Sequence, residues 1–555
     1  MKASLRIRQI LLLVFAVALG FLAMFQMYER ALGSLPGDIV QLYGALVLEL
    51  VVAVGVIMHF HPHADFTVLS IVTLLSLVGI TMITRIDIEA RGSKTSSAVG
   101  QRQFMWLLLG LGLCVVMLIV VRDHRIFRRF SYVSMIVGLL LLLSPMIPHL
   151  GMTLNGARIW IHVGSHTLQP AEFAKLFLGI FFASYLFDHR DQLAVAGRTV
   201  LGIHFPRLKD LAPILVVWGA SMGVLVIQHD LGTGLMFFAM FVCMLYLATG
   251  QKGWIGIGIV FFAASAAIAG RMFSHVQSRV TAWLHPFDDS VYWGKSGSYQ
   301  LVTGVFGMSS GGLFGTGLGQ GMPGLTPLGN SDFIYSSLAE ELGLTGVMAI
   351  LMLYLALIVA GFLVALKCKD GFGKLLSSGL MFSMAFQVFT VVGGVTLLIP
   401  LTGLTLPYMA AGGSSMMANL LLAFIVIIVS NTANAPQVDS SDAEFQQEAL
   451  AAIRNSQKAA ADAAERGKES RHKDSRLSRR HAAVPGPGMG RGDPDLDDEP
   501  AIVNTTHMST VRPEYDGEDP ALLDLGYDYG SDATANVTGY SPTHDTYYND
   551  ERNGA

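Results

Sequence analysis

The sequence predicts an all-α polytopic membrane protein, and three observations support this fold class. Of its 555 residues, 52% are hydrophobic and only 14% are charged, whereas soluble proteins average about 25% charged residues. Apolar runs of membrane-spanning length recur along the chain. Basic residues concentrate in short loops that fall on one side of the predicted spans. These features exclude a soluble globular fold.

Twelve apolar segments approach spanning length. In lipid, each segment can satisfy its backbone hydrogen bonds internally only as a helix. The basic and apolar N-terminus lacks a clear cleavage site, so it is interpreted as a retained first span. The predicted spans are roughly 9–28, 40–60, 66–84, 104–122, 131–148, 171–187, 210–228, 231–249, 254–270, 334–366, 376–397 and 414–431.

The distribution of Lys and Arg predicts the orientation of the chain. The loops 123-DHRIFRRF-130, 188–210 and 367-KCKDGFGK-374 are basic and share one side with the N-terminus 1-MKASLRIR-8. That side is predicted to be cytoplasmic, so both termini are cytoplasmic. Three long loops, 85–103, 149–170 and 271–333, then lie on the outer face.

The C-terminal region differs in composition from the rest. Residues 437–555 contain 23 acidic and 12 basic side chains, a net charge of −11, whereas the preceding part carries +7. The region lacks sustained apolar periodicity apart from one amphipathic stretch at 441–467. We expect a disordered, acidic cytoplasmic tail over 436–555.

The longest outer loop, 271–333, contains the stretch 281-TAWLHPFDDSVYWGKSGSYQ-300. Its pair Asp288-Asp289 fits turn chemistry, a metal ligand or a catalytic base. The run 309-SSGGLFGTGLGQGMPG-324 fits either a flexible connector or a backbone that approaches a ligand closely. Long loops of this kind are usually functional or disordered.

Charged residues also occur beside or within the predicted spans. Glu172 and Lys175 are three residues apart on one helical face, and fit either a structural ion pair or a polar cavity. Asp230 likewise fits either a helix N-cap or a polar cavity. Asp332 precedes a span, and Glu341 lies inside it, where capping does not explain a carboxylate. Prolines and glycines in 400-PLTGLTLPYMAAGGSS-415 indicate interrupted helices of the kind that line cavities.

The order of these motifs resembles the SEDS family (shape, elongation, division and sporulation), the RodA/FtsW-type peptidoglycan polymerases. The matching pieces extend over about 155–419 and are NGARIWI, QPAEFAKL, DLGTG, GGLFGTGLGQG, SDFIYSSLAEELGLTG and PLTGLTLPYMAAGGSS.

The resemblance implies ten membrane helices with a large extracytoplasmic loop between the seventh and the eighth. The first two spans then form an additional N-terminal hairpin. The implied domains are the hairpin at 1–62, a SEDS polymerase domain at 63–435 with the catalytic loop 271–333, and the tail at 436–555. RDHR and VVGGVTLLIPLTGLT are similar to the RodA-type branch.

The resemblance also implies a reaction, the polymerisation of lipid II into glycan strands at the outer membrane face. Its essential loop acid matches 286-PFDD-289 at Asp289, with Asp288 as the alternative. Arg271 and Arg279 are candidates to stabilise the leaving pyrophosphate, a task that a divalent cation such as Mg²⁺ or Mn²⁺ can also perform. Glu172, Lys175, Asp332 and Glu341 are expected to line the central cavity. The segment 290-SVYWGK-295 departs from the family's pattern.

Other classes of protein stay open at this point. A flippase for lipid-linked precursors also needs many spans and polar residues inside the membrane, and a scaffold needs only a partner surface. The partner that the resemblance implies is a class B penicillin-binding protein, a transpeptidase. The sequence carries no nucleic-acid signature. Its three cysteines form no Cys/His cluster, so neither a zinc site nor a disulfide framework is indicated.

Overall fold

A computed structural model describes the chain over residues 3–91, 98–154, 157–164, 166–194, 198–200, 203–205, 208–294, 298–436 and 454. The chain divides into two units, Met1–Phe445 and Gln446–Ala555, and the described residues belong almost entirely to the first. Apart from Arg454, the predicted amphipathic helix at 441–467 and the predicted disordered tail beyond it lie outside the described residues.

Seventeen α-helices occur among the described residues. They are α1 (Ala3–Leu32), α2 (Gly37–Phe60), α3 (Thr67–Arg91), α4 (Ala98–Val120), α5 (Arg125–Arg129), α6 (Ser131–Leu143), α7 (Pro170–Asp188), α8 (Arg190–Ala194), α9 (Leu208–Ile227), α10 (Leu231–Thr249), α11 (Gly253–Met272), α12 (Ser274–Leu284), α13 (Asp289–Tyr292), α14 (Tyr299–Gly311), α15 (Ile334–Lys367), α16 (Gly371–Val395) and α17 (Gly413–Ala433).

The protein is a polytopic all-α membrane protein, as its sequence predicts. Each of the twelve apolar segments coincides with a helix. Ten helices within the described ranges are long and apolar enough to cross a membrane, and the apolar helices Ser131–Met146 and Ala212–Ile227 are shorter. The count of twelve spans therefore stays a prediction. The long helix α15 is interrupted at Gly343, whose φ and ψ angles are 68° and −177°.

Helices α3, α7 and α17 occupy the interior, whereas α1 and α2 expose most of their side chains. The first two helices pack on the helices that follow them. Gly20 of α1 lies against Leu77 of α3, and Tyr43 of α2 meets Phe104 of α4 with ring centroids 5.2 Å apart. The N-terminal hairpin is thus held against α3 and α4 by close contacts.

The basic loops meet at one end of the helices. Arg128 donates a hydrogen bond to Asp188 over 2.8 Å, and His124 pairs with Asp370 at 2.7 Å. Thr432, near the end of α17, lies 3.3 Å from the same histidine. The loops that the sequence assigns to one side of the membrane therefore do lie together.

Two small antiparallel sheets occur in the loops, where the sequence predicted no strands. The first joins β1 (Gly151–Leu154), β2 (Ala157–Val163) and β3 (His166–Leu168), with Ile161 paired to both Gly151 and Leu168. The second joins β4 (Arg198–Val200) and β5 (Ile203–Phe205). Such short strands carry too few residues to show the alternation by which strands are recognised in a sequence.

The loop 271–333 is mostly ordered secondary structure. It contains α12, α13, α14 and the 3₁₀ turn Pro323–Leu325. Trp283 of α12 donates its indole N–H to the carbonyl of Leu397 over 2.8 Å. This bond ties the loop to the segment between α16 and α17.

The close contact between Gly79 and Met409 leads to a prediction about stability. A Cβ at Gly79 of α3 would lie 2.5 Å from the backbone of Met409, whereas a Cβ at Gly44 of α2 meets no described atom within 4 Å. Gly79→Ala should lower the melting temperature of the detergent-solubilised protein, because overpacking costs about 1–3 kcal/mol. Gly44→Ala should leave it unchanged or raise it, since Ala has the higher helix propensity. Melting of Gly79→Ala at the wild-type temperature would contradict this contact.

Candidate active site

A buried ammonium group organises the interior near the outer ends of α7, α16 and α17. Lys175 is fully buried, and its Nζ donates to Glu172 Oε2, Gln387 Oε1 and Asn419 Oδ1, each over 3.1 Å. An ammonium has three donors, and all three are used. We call Glu172, Lys175, Gln387 and Asn419 the inner network.

The inner network also fixes the interrupted segment at 400–415. Gln387 donates its amide to the carbonyl of Thr405 over 2.9 Å. Asn419 donates to the carbonyl of Ser415 over 2.9 Å, and the hydroxyls of Thr405 and Ser415 lie 3.1 Å apart. Pro170 begins α7 at a position where its missing N–H costs nothing. Of the two alternatives that the sequence left open, the ion pair is therefore present, and its ammonium has polar partners on two other helices.

A second group of polar residues surrounds the turn at 401–403. Arg279 of α12 donates from Nη1 to the carbonyls of Leu401 and Thr402, over 3.3 and 2.9 Å. Gly403 adopts a φ of +74°, and a Cβ placed there would lie 3.4 Å from Arg279 and 3.9 Å from Asp332 Oδ2. A glycine at this position lets the cation and the carboxylate approach the same turn.

Asp230 lies between these two groups. It caps α10, accepting the N–H of Thr233 on Oδ1 over 3.1 Å, and its Oδ2 is buried without a hydrogen-bond partner in the described chain. The pKa of Asp230 is raised, mainly by burial and also by Glu172; its bonds to Thr233 and the charge of Arg279 oppose this shift. We call Asp230, Arg279, Thr402 and Asp332 the outer cluster.

Asp332 has a perturbed pKa as well. Burial raises it from 3.8 to about 6, against the opposing effects of the Ser331 hydrogen bond and the Arg279 charge. Asp332 is therefore largely ionised at neutral pH and attracts Arg279. Perturbed carboxyl groups of this kind are common at functional sites.

The glycine-rich run is an ordered loop clamped by charged residues. Glu341 accepts Arg85 Nε over 3.1 Å and the N–H of Gly319 over 2.9 Å. Arg85 also donates to the carbonyl of Gly321 over 2.7 Å. A Cβ on Gly343 would lie 2.2 Å from the nitrogen of Gly315. Close backbone packing therefore accounts for Gly311 and Gly315 of this run.

The acidic pair of the outer loop lies in a different environment. Asp289 is the first residue of α13 and Asp288 is its N-cap, and both are exposed. Asp288 lies 3.7 Å from His285. The Asp289 carboxylate forms no hydrogen bond or ion pair with the residues that the structure describes.

The predicted site residues thus occupy four environments. Glu172 and Lys175 meet in the inner network, and Arg279 and Asp332 meet in the outer cluster. Glu341 belongs to the clamp on the glycine-rich loop. Asp289 and Arg271 are exposed.

Sequence reasoning missed several residues of these groups. Asp230 is the N-cap that one of its two interpretations predicted, and its Oδ2 is buried without a hydrogen-bond partner among the described residues. Gln387 and Asn419 were not singled out, but a polar amide inside an apolar span is the signal that could have found them. Arg85 could have been found in the same way, as a cation at the end of an apolar segment.

The arrangement offers hydrogen bonds and charge more readily than metal coordination. Among the described residues, no group of three or more His, Cys, Asp or Glu side chains is positioned to hold a metal ion. The outer cluster instead presents a guanidinium group flanked by carboxylates. Such a cation can stabilise a developing phosphate charge.

Comparisons with known proteins identify the family. The sequence profile of the FtsW, RodA and SpoVE cell cycle proteins matches residues 65–435. Peptidoglycan glycosyltransferase RodA of Mycobacterium tuberculosis is 40% identical over 433 residues, covering 77% of this chain and 91% of that protein. The protein of the same name from Mycobacterium leprae is 42% identical over 384 residues, covering 68% and 80%.

A solved structure gives an independent comparison. One chain, described under "Structural coordination of polymerization and crosslinking by a peptidoglycan synthase complex", is 25% identical and covers 67% of this chain and 99% of that one, with a TM-score of 0.53. Because the family profile covers well over half of the sequence, the resemblance stated from its motifs is confirmed. The chain belongs to the FtsW, RodA and SpoVE family of cell cycle proteins, the SEDS family.

Proposed function

We propose that the protein is a peptidoglycan glycosyltransferase that polymerises lipid II into glycan strands at the outer face of the bacterial cytoplasmic membrane. The observation that carries this proposal is the 40–42% identity to RodA proteins named for this activity. The name of these relatives supports a RodA-type role in cell elongation and shape over an FtsW-type role in division.

The orientation follows from the loop charges. The basic loops at 123–130, 188–210 and 367–374 place their end of the helices in the cytoplasm under the positive-inside rule. Both termini are then cytoplasmic, and 271–333 faces outward. The proposed active site consequently lies on the side where glycan strands are assembled.

In the proposed reaction, the 4-hydroxyl of one lipid II attacks the sugar carbon that carries the undecaprenyl-pyrophosphate of another glycan. The C–O bond to the pyrophosphate breaks as the new glycosidic bond forms. An alcohol is a weak nucleophile, so a carboxylate must accept its proton as bonding develops. Asp289 is the proposed base, because it is exposed and unpaired in the described structure at the position that matches the family's loop acid.

The leaving pyrophosphate carries negative charge that needs a cation. Arg279, held by carbonyls of the 401–402 turn and flanked by Asp332 and Asp230, is the proposed partner for this charge. Arg271, exposed at the end of α11, is the second. A divalent cation such as Mg²⁺ or Mn²⁺ bound with the pyrophosphate would add to this stabilisation.

Glu172, Lys175, Asp332 and Glu341 are proposed to shape the substrate cavity. Lys175 and Glu172 fix the 400–415 segment through the inner network, and Asp332 holds Arg279. Glu341 positions the glycine-rich loop through Arg85 and Gly319. The proposed transpeptidase partner is a class B penicillin-binding protein, in keeping with the similar chain from a complex that couples polymerisation to crosslinking.

Substitution in the acidic pair tests the catalytic assignment. Asp289→Ala should lower lipid II polymerisation by purified protein about 10²- to 10⁴-fold, because a general base is lost. Asp288→Ala, the matched control, removes the adjacent carboxylate and should retain most activity. The measurement is gel analysis of the glycan products with and without Mg²⁺ or Mn²⁺.

Two outcomes of that experiment contradict the proposal. Full polymerisation by Asp289→Ala would remove Asp289 as the base. Transbilayer movement of lipid II by the wild-type protein without any polymer would instead identify a flippase.

The raised pKa of Asp332 leads to a separate prediction about how stability depends on pH. Because its pKa in the folded state, about 6, exceeds the ordinary value of 3.8, the folded state binds the proton more tightly. The group's contribution to stability is fully present below pH 3.8 and is lost as the pH rises through about 6. The melting temperature of Asp332→Asn minus that of wild type should therefore increase from pH 5 to pH 7.5. An equal difference in melting temperature between Asp332→Asn and wild type at pH 5 and at pH 7.5 would refute the shift.

A further inference from the structure

The segment 290–299 exposes large aromatic side chains next to the proposed base. Trp293 is 75% exposed and Tyr299 is 41% exposed, and Tyr292 is half-buried. Tyr292 and Trp293 belong to the stretch 290–295 that departs from the family's pattern, and nothing in the proposed mechanism uses the three aromatic residues. Three aromatic rings at the surface of a catalytic loop require an explanation.

The three rings form one cluster. Tyr292 meets Trp293 edge-on with centroids 4.7 Å apart, and it meets Tyr299 in the same way at 5.4 Å. Trp293 and Tyr299 stack with an interplanar angle of 21° at 6.0 Å. Mutual contacts of this kind hold aromatic rings in defined orientations.

The backbone on both sides of the cluster is fixed. Ser298 is fully buried; its N–H donates to the carbonyl of Val291 over 3.3 Å, and its hydroxyl donates to the carbonyl of Pro286. The N–H of Trp293 donates to the carbonyl of Asp289 over 3.2 Å. The rings are thus anchored to the same turn that carries the acidic pair.

Asp289 and Trp293 are four residues apart across this turn. Side chains at that spacing project from the same side of a helical turn, and a helical side chain leans over the preceding turn. Trp293 is the C-cap of α13 and Asp289 is its first residue, so we expect the indole and the carboxylate to lie on the same side of this turn. A ligand that contacts Asp289 through a hydroxyl group has an aromatic surface within reach of its ring.

A sugar is the ligand whose chemistry fits this combination. A pyranose ring has an apolar face of C–H groups, which carry partial positive charge and pack against the negative face of an aromatic ring. Its edges carry hydroxyls, which donate hydrogen bonds to carboxylates. An aromatic platform next to a carboxylate offers a surface for the apolar face of the sugar and a hydrogen-bond acceptor for its hydroxyls.

Two other occupants fit less well. Insertion of Trp293 into the membrane would draw Asp288 and Asp289, both exposed on the same turn, toward a region where carboxylates are costly. The core of a protein interface is likewise depleted of acidic residues. The neighbouring charges therefore favour a saccharide over a lipid surface or a protein partner.

We propose that Tyr292, Trp293 and Tyr299 form a saccharide-binding platform that stacks against a pyranose ring of lipid II or of the growing glycan strand and presents its hydroxyl to Asp289. This inference rests on the proposed glycosyl transfer and adds a substrate subsite to it. The platform is a positioning element, because it holds the sugar while Asp289 accepts the proton.

Kinetics of lipid II polymerisation by full-length protein in nanodiscs test the platform. Trp293→Ala and Trp293→Leu should each raise the KM about tenfold and change kcat less than about twofold, because stacking is lost while the base is kept. Trp293→Phe should stay within about threefold of the wild-type KM. The matched control is Phe314→Ala, which removes another exposed aromatic side chain, 79% exposed, from the same outer loop; its KM should not change.

The leucine variant separates ring stacking from simple hydrophobic anchoring. A wild-type KM for Trp293→Leu would overturn the proposal, as would equal effects of Trp293→Ala and Phe314→Ala. If a Trp293 variant fails to fold, Tyr299→Leu takes its place in this comparison. We expect the same rise in KM for Tyr299→Leu. An unchanged KM would overturn the platform.

Tryptophan fluorescence tests binding without catalysis. Titration with a soluble disaccharide of the lipid II headgroup sugars should change the emission of wild type and of Asp289→Asn, but not of Trp293→Phe. An unchanged wild-type signal would overturn the platform, and quenching of Trp293 by brominated lipids would identify a membrane anchor instead. If the wild-type protein binds the disaccharide but has no polymerase activity, the proposed function is refuted and the sugar-binding site is retained.

Discussion

The interior of this protein depends on the satisfaction of one buried charge. Lys175 is fully buried in a chain that spans the membrane, and an unpaired ammonium in that environment is very costly. Its three donors reach a carboxylate on α7, an amide on α16 and an amide on α17. The relative positions of three helices and of the interrupted segment at 400–415 follow from this requirement.

The same segment connects the inner network to the outer loop. Carbonyls at 401 and 402 accept Arg279 of α12, and the carbonyl of Leu397 accepts Trp283 of the same helix. The buried charge of Lys175 therefore fixes the backbone segment whose carbonyls accept hydrogen bonds from Arg279. The polar interior and the loop 271–333 belong to one hydrogen-bonded system.

Much of this arrangement could be predicted from sequence because lipid imposes simple rules. Apolar length located the helices, and loop charge grouped 123–130, 188–210 and 367–374 at one end, where His124 meets Asp370. The spacing of Glu172 and Lys175 predicted that both charges share one helical face, and it left an ion pair and a polar cavity as alternatives. Gln387 and Asn419 carry a sequence signal as amides inside apolar spans, but their pairing with Lys175 could not be predicted, because they lie more than 200 residues away from it in the chain. The glycine-rich run was also ambiguous, since only the backbone approach of Gly315 to Gly343 shows why side chains are excluded there.

The N-terminal hairpin has a consequence for assembly. A membrane domain has a limited perimeter, and every partner helix needs a free stretch of it. Through the packing of Gly20 on Leu77 and of Tyr43 on Phe104, this chain covers its own flank along α3 and α4. A single-helix protein that binds this membrane domain must therefore contact a part of its surface that the hairpin leaves uncovered. The hairpin thus limits where a partner helix can bind.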